Sequence, residues 1–453
     1  RDIRWGSTSW TTRRCTPAGR TWLSFWRALV PAKSLCYAIP AVLSAPGPCL
    51  ATSNKGDILD VTAPIRRLDH PNGEIWTFDP ERIADPNRKS APWVWDLIAS
   101  VQSIADAKRI ADCWRYASGQ PQTGGDDFFP GTAAQQLADY LFAAHLGGRS
   151  VSDVFRWCSN ERDTSPADIL SEYPRYAGIA SRVSSVIALT PETRSGVFGS
   201  LQTMVAFLAD PEIIDWIDPH RDTNGNIDER RGLFDPYEFA TSEDTLYLLS
   251  AQGRPSTALT ASLTAVVAFT AFQRAQSEFT GNNRRLPVPL CCVLDEAANI
   301  CRWPELADVY SYFGSAGIPI MTIWQNPDQG RAAFGETNFG SLFNNANITV
   351  YLGGIKDAKF LGEISQLVGQ REIVRGSVNI DGTGRRSVNN SIQKENILDV
   401  SDLTEWPVGR ALLLASQSRA QIVKTLPWTG NRQWADALAQ AKAKAQEEQR
   451  KAA

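Results

Sequence analysis

Two adjacent carboxylates, Asp295 and Glu296, close a short apolar run, Leu290-Cys291-Cys292-Val293-Leu294, and Ala297-Ala298-Asn299-Ile300 follow them. Pro287 and Pro289 punctuate the chain just before the run. The pattern reads as a buried parallel strand delivering both acids to its carboxyl end, where open α/β sheets bind ligands. Two acids at that place suit phosphate chemistry. Asp295 has the hard oxygens to hold the water shell of a Mg²⁺ ion, and Glu296 can polarise an attacking water. This is the form of a Walker B strand. The same pattern also describes a strand that ends in a solvated acidic helix start, where carboxylates favour the helix dipole.

Such a strand needs a sheet around it, and 453 residues suffice for a large core and two or three domains. Hydrophobic residues make up 43%, charged residues 21%, and the net charge is −3, the balance of an ordinary globular chain. That charge gives no global footprint for nucleic acid. It leaves room for a local basic channel, or one assembled from several subunits. Eight cysteines lie scattered at 15, 36, 49, 113, 158, 291, 292 and 301 without a CxxC pair. Buried free thiols in a reducing compartment fit them better than a disulfide frame or a zinc site. The three histidines, at 70, 145 and 220, are too far apart in sequence to suggest a His-based metal centre. No run of about 18 apolar residues appears, so no bilayer-spanning segment is expected. The chain opens on Arg1 rather than Met, which suggests segments upstream.

Residues 1–32 differ from the rest, with Trp5, Trp10, Trp22, Phe25 and Trp26 among many Arg, Ser and Thr, and no period that assigns an element. From Ser34 the pattern sharpens into a short helical or turn segment to Leu43, with Pro40 inside it. Strands are expected at Pro48–Ser53 and Glu74–Phe78 with a helical crossover between them, the signature of a doubly wound sheet. Helical spacing then takes over at Ala105–Tyr116, Ala133–Leu146, Val151–Cys158, Pro166–Ser171 and Ser195–Ala209. Ser103, Thr132 and Ser165 are cap candidates at or near helix starts. Sheet signals resume at Thr245–Leu249, followed by a helix over Thr257–Gln276 and the acidic strand. Further strands are expected at Ile318–Trp324, Ile348–Leu352 and Ala411–Leu414. The sheet is thus interrupted by a helical insertion large enough to be its own domain. Beyond Trp434, an alanine- and charge-rich segment predicts a solvated terminal helix that frays.

In this order the sequence resembles the type IV secretion coupling proteins, the TraG/TraD-type conjugative DNA-transfer ATPases with a TraM-recognition region. The residues that carry the likeness are Ala51-Thr52-Ser53-Asn54-Lys55, Trp76-Thr77-Phe78-Asp79-Pro80, Asp126-Asp127-Phe128-Phe129 and Thr245-Leu246-Tyr247-Leu248-Leu249. They continue in Val293–Ile300, in Gln325 after the Ile318–Trp324 strand, and in Leu352-Gly353-Gly354. The likeness runs from about Lys33 to Trp428. It implies an α/β fold, a RecA-like P-loop NTPase parallel sheet with an inserted all-α domain. The expected division is an atypical segment at 1–32, nucleotide-binding parts at 33–102 and 220–430, the helical insertion at 103–219 and a charged C-terminal helix at 431–453.

By the same resemblance Asp295 holds the Mg²⁺ water shell, Glu296 is catalytic toward water, and Gln325 is the polar sensor of the γ-phosphate, an amide able both to donate and to accept. Arg331 or Arg371 is the trans arginine it suggests for an oligomer. The cofactors implied are ATP and Mg²⁺. The partners implied are single- or double-stranded DNA, relaxosome proteins, secretion-channel components and other copies of the chain in a homo-hexamer. The expected place is the cytoplasmic face of the bacterial cell membrane, reached through upstream sequence or partners.

The phosphate loop departs from the family. A Walker A sequence, G-x-x-x-x-G-K-[ST], uses glycines so that backbone amides can curl around phosphate, with Lys on the β/γ charge and the hydroxyl on Mg²⁺. Here the corresponding stretch is Arg27-Ala28-Leu29-Val30-Pro31-Ala32-Lys33-Ser34. Lys33 and Ser34 are in register for nucleotide binding, with Ser34 a metal ligand beside Asp295. Arg27 and Ala32 replace both glycines, and Pro31 removes an amide donor. Weak nucleotide binding is expected. Two readings are open: a degenerate homologue on a retained scaffold, or a non-native segment 1–32 from a shifted frame or truncated start.

Other features carry softer expectations. Lys55 and Asp57 end a strand where they can touch nucleotide or form a plain turn. Asn344-Asn345 suits a turn or a subunit face. Arg284-Arg285 and Arg385-Arg386 suit exposed loops, or the lining of a DNA channel in a ring. The function implied is delivery of a DNA–protein substrate to a type IV secretion channel. The rivals are a catalytically inactive scaffold that recognises relaxosome components, and a DNA-pumping motor outside secretion.

Overall fold

The structure, a computed structural model, describes residues 23–26, 33–119, 127–221, 226–227, 231–254, 256–380 and 386–452. The expected Asp126 position, the loop 27–32, Arg385, Cys15 and the aromatic residues Trp5, Trp10 and Trp22 lie outside the described residues.

Short, mostly apolar runs become strands, most of them in one main sheet. These are β1 (Leu23–Trp26), β2 (Cys49–Ser53) and β3 (Ile75–Phe78), then β4 (Trp93–Trp95) and β5 (Gly232–Phe234) of a separate pair, and β6 (Thr245–Leu249), β7 (Cys291–Leu294), β8 (Ile320–Trp324) and β9 (Ile348–Tyr351). β10 (Gln370–Ile380) and β11 (Arg386–Asn396) form a hairpin of their own, and β12 (Arg410–Ala415) and β13 (Gln421–Lys424) complete the main sheet. Its order is β13-β12-β9-β1-β8-β7-β2-β6-β3. The seven strands from β9 to β3 are parallel, and β12 and β13 add an antiparallel edge.

Every residue of β2, β6 and β7 is buried, as expected of parallel strands covered on both faces. Side chains alternate between two cores. Leu50, Leu246, Leu248, Cys292 and Leu294 join the core that runs into the helical insertion. Cys49, Ala51, Tyr247, Cys291 and Val293 join the other, with Ile39 and Val42 of the Ser34–Leu43 helix and Ile58 and Ile65 of the helix Asp57–Asp69. The terminal helix Arg432–Ala452 is less solvated than expected, because Leu438 is buried in this second core.

The insertion comprises helices Ile104–Ala117, Phe128–Leu146, Val151–Ser159, Ser165–Ser171, Ala177–Ile187 and Pro191–Val205. Ser103 caps the first helix, accepting from Asp106 N, and Ser150 with Asp153 forms a capping box on the third. Thr132 is not a cap. The helix starts four residues earlier at Phe128, with Pro130 in the first turn where a missing N–H costs nothing. Ser165 lies inside its helix, and Thr164 holds the cap position. The short parallel pair β4–β5 joins the chain entering the insertion to the chain leaving it, and Trp76, Phe78, Trp93, Trp216 and Phe234 pack edge-to-face around it.

One helix among the described residues, Ser256–Ser277, is long and apolar enough to cross a bilayer, despite the lack of an unbroken apolar run. Fifteen of its residues are buried, and Trp114 Nε1 of the insertion donates to its Ser262 Oγ at 3.0 Å, so in this structure it serves as a core helix.

Candidate nucleotide site

β1, β8 and β7 lie side by side and run the same way. Trp26 pairs with Trp324 and Leu294 with Thr322, so the three carboxyl ends are nearly level. The residues leaving these strands therefore meet at one edge of the sheet. After β1 the chain reaches Lys33 and Ser34, after β7 it delivers Asp295 and Glu296, and after β8 it delivers Gln325. The sequence alone assigned β1 no element, and this strand is what places Lys33 and Ser34 beside the acids.

Lys33 and Ser34 are buried at the start of the Ser34–Leu43 helix, whose first turns, Ser34–Ala38, are π-type ahead of Pro40. Such turns frequently mark functional positions. Ser34 Oγ donates to Asp295 Oδ2 at 3.4 Å. Thr52 Oγ1, on β2, donates to the Asp295 carbonyl at 2.8 Å and fixes the end of β7. Burial and the Glu296 charge push the Asp295 carboxyl up to about 7, against the pull of Lys33, and Asp57 adds to the rise. Glu296 is buried too and takes φ +56°, a left-handed conformation uncommon for a non-glycine residue. Its Oε1 accepts from Gln325 Nε2 at 2.6 Å and its Oε2 from Asn299 Nδ2 at 2.9 Å. All five site residues expected from the sequence thus converge. The solvated-helix-start alternative does not hold for Asp295 and Glu296, which are each 4% exposed.

The remaining expectations fare unevenly. Lys55 is exposed at the end of β2, and Asp57 opens the next helix close enough for its charge to reach Asp295. Arg331 is engaged within its own chain by Asp328, Glu336 and Asp357. Arg371 is exposed in β10. Asn344 and Asn345 end the helix Glu336–Asn345. Arg285 Nη1 donates to the Gly314 carbonyl at 2.8 Å, and Arg284 is exposed. The seven described cysteines are free thiols, and burial raises Cys49 to about 11 and Cys301 to about 12. Sequence reasoning missed Thr52 and Asn299 as supports of the acids. The three-residue step from Glu296 to Asn299, one helical turn, was the available signal for the second.

Residues 289–408 match the family model for the TraM recognition site of TraD and TraG. No curated protein matches the chain. Among solved structures, the chain is similar to the bacterial conjugative coupling protein TrwBdeltaN70 in complex with sulphate, at 16% identity and a TM-score of 0.63, covering 90% of this chain and 85% of that one. It is also similar to plasmid coupling protein TrwB in complex with ADP and Mg²⁺, at 14% identity and a TM-score of 0.61, covering 90% and 86%. The likeness to TrwB with a non-hydrolysable ATP analogue is equal in identity and TM-score, covering 90% and 85%. The fold is therefore that of a RecA-like P-loop NTPase sheet with an inserted helical region. Residues 289–408 thus match a coupling-protein family model, and the chain as a whole shares its frame with solved conjugative coupling proteins.

Proposed function

We propose that this chain is the motor body of a conjugative coupling protein, using Mg²⁺-ATP hydrolysis to deliver a DNA–protein substrate to a type IV secretion channel. The observation that carries this reading is the meeting of Lys33, Ser34, Asp295, Glu296 and Gln325 at one sheet edge. The donor set fits its cofactor. A hydroxyl and a carboxylate at hydrogen-bond distance, with a buried lysine beside them, supply hard oxygens for Mg²⁺ and a cation for phosphate. When bound, Mg²⁺ neutralises charge developing on the transferred phosphoryl oxygens.

Lys33 would balance the β/γ-phosphate charge, and Ser34 with Asp295 would hold the metal. Gln325 orients the attacking water, and Glu296 accepts its proton as the new P–O bond forms and the bond to ADP breaks. Relaxosome proteins, DNA, a secretion channel, a homo-hexameric ring and the cytoplasmic membrane face are the partners and setting this reading carries with it.

Arg27, Pro31 and Ala32 favour a second reading, a scaffold that kept recognition and lost hydrolysis. Steady-state hydrolysis separates the two. The chain carrying Arg27→Gly, Pro31→Ser and Ala32→Gly is expected to hydrolyse Mg²⁺-ATP and to turn over faster with DNA. Adding Glu296→Gln is expected to lower kcat by about 100-fold or more while Mg²⁺-ATP still binds. No hydrolysis in the restored chain, with or without DNA, would support the scaffold.

A further inference from the structure

Asn299 has no role among the nucleotide-site residues, yet it holds half of the Glu296 carboxylate. Glu296 Oε1 accepts from Gln325 Nε2 at 2.6 Å, and Oε2 accepts from Asn299 Nδ2 at 2.9 Å. Both Glu296 and Asn299 are more than nine-tenths buried. An amide on each oxygen fixes the carboxylate plane, and each oxygen retains a lone pair for water. A short helical turn after a strand needs no such clasp. The backbone amides of Asn299 and Ile300 already hold the turn by donating to the Glu296 carbonyl at 2.8 and 3.1 Å.

Asn299 is itself held from behind. One turn on, Arg302 Nε donates to the Ala298 carbonyl at 3.2 Å, and its Nη1 reaches the Tyr116 carbonyl at 3.5 Å. Glu305 accepts from Arg109 Nε at 2.9 Å, and the Arg109 guanidinium lies 3.4 Å over the Phe269 ring. Tyr116 and Arg109 belong to the first helix of the insertion, Ile104–Ala117. The segment carrying Asn299 is thus anchored to that helix, which gives the amide a fixed place from which to act.

We propose that Asn299 is a positioning residue that orients Glu296 toward the attacking water. This rests on the nucleotide reading of the site, so its test is built to fail separately. The full chain with Arg27→Gly, Pro31→Ser and Ala32→Gly serves as parent, and its Mg²⁺-ATP affinity is measured first. In that parent, Asn299→Ala is expected to lower kcat by about ten- to 100-fold, with KM and Mg²⁺-ATP Kd unchanged within about twofold. Asn299→Asp, which sets a like charge against Glu296, is expected to lower kcat further. A purely structural role would shift KM and Kd together with kcat. Asn299→Ser, with the same expected loss, replaces the alanine variant if that one does not fold. An unchanged kcat, or a kcat loss matched by an equal loss of affinity, would overturn the inference alone. A parent chain that binds no Mg²⁺-ATP would overturn the nucleotide reading and this inference with it.

Discussion

Asp295 is buried beside a second acid, and its carboxyl rises from 3.8 to about 7 because desolvation and the Glu296 charge outweigh the pull of Lys33. Between those two values the folded chain keeps a proton that the unfolded chain releases, so this group's contribution to stability is lost as pH rises through about 7. A Mg²⁺ ion held there would compete for the same oxygens. In the glycine-restored chain, Mg²⁺-dependent nucleotide affinity is therefore expected to rise about tenfold from pH 6 to pH 8, and Asp295→Asn to remove the rise. Calorimetry at both pH values checks it, and a flat profile in the unsubstituted site would contradict it. The acids were legible from sequence because an apolar run ending in Asp-Glu reads as a buried parallel strand that delivers both to its carboxyl end. Their supports, Thr52 and Asn299, were not, because a hydroxyl and an amide announce nothing until the fold brings them within 3 Å of the acids.

Elements differ in how plainly they are written. β2, β6, β7, β8, β9 and β12 follow apolar runs long enough to read. β4 and β5 have three residues each, too few for a period. β10 and β11 are exposed over their described side chains apart from half-buried Ile373, Glu395 and Asn396, and Val374 and Ile392 pair in the open. No alternation of buried and exposed residues marks them. β1 is four residues long amid Trp, Arg, Ser and Thr, and its place is fixed by β8 and β9 from far along the chain. Tertiary contact decided these elements. It also governs the helix Pro327–Phe334, where a Cβ on Gly330 would lie 2.0 Å from the Phe339 ring. Gly330→Ala is expected to lower stability by about 1–3 kcal/mol, although alanine favours a helix by about 1 kcal/mol. A lower urea midpoint at an unchanged slope would show it, and a raised midpoint would contradict it.

At the scale of the molecule, the strand order puts β1 in the interior of the sheet between β8 and β9, so residues 23–26 are part of the fold rather than an appendage to it. That position supports reading at least this part of the segment 1–32 as native. Removing residues 1–32 would leave β8 and β9 without their shared partner and strand buried backbone groups on both. The truncated chain is expected to lose its cooperative thermal transition, and a transition equal to that of the full chain would count against the sheet described. The rest of the architecture was legible as a pattern of strands, helical interruption and strands. The closing of that interruption by β4, β5 and an aromatic cluster was not.

The central claim, that the sheet edge at Asp295 is a nucleotide site weakened by its loop, is met most directly by Mg²⁺-ATP binding calorimetry. The unmodified chain is compared with the chain carrying Arg27→Gly, Pro31→Ser and Ala32→Gly. Binding by the restored chain, about tenfold or more tighter than by the unmodified one, is the result expected when backbone amides regain access to phosphate. Absence of binding in both would contradict the nucleotide site itself, and equally tight binding in both would contradict the loop argument.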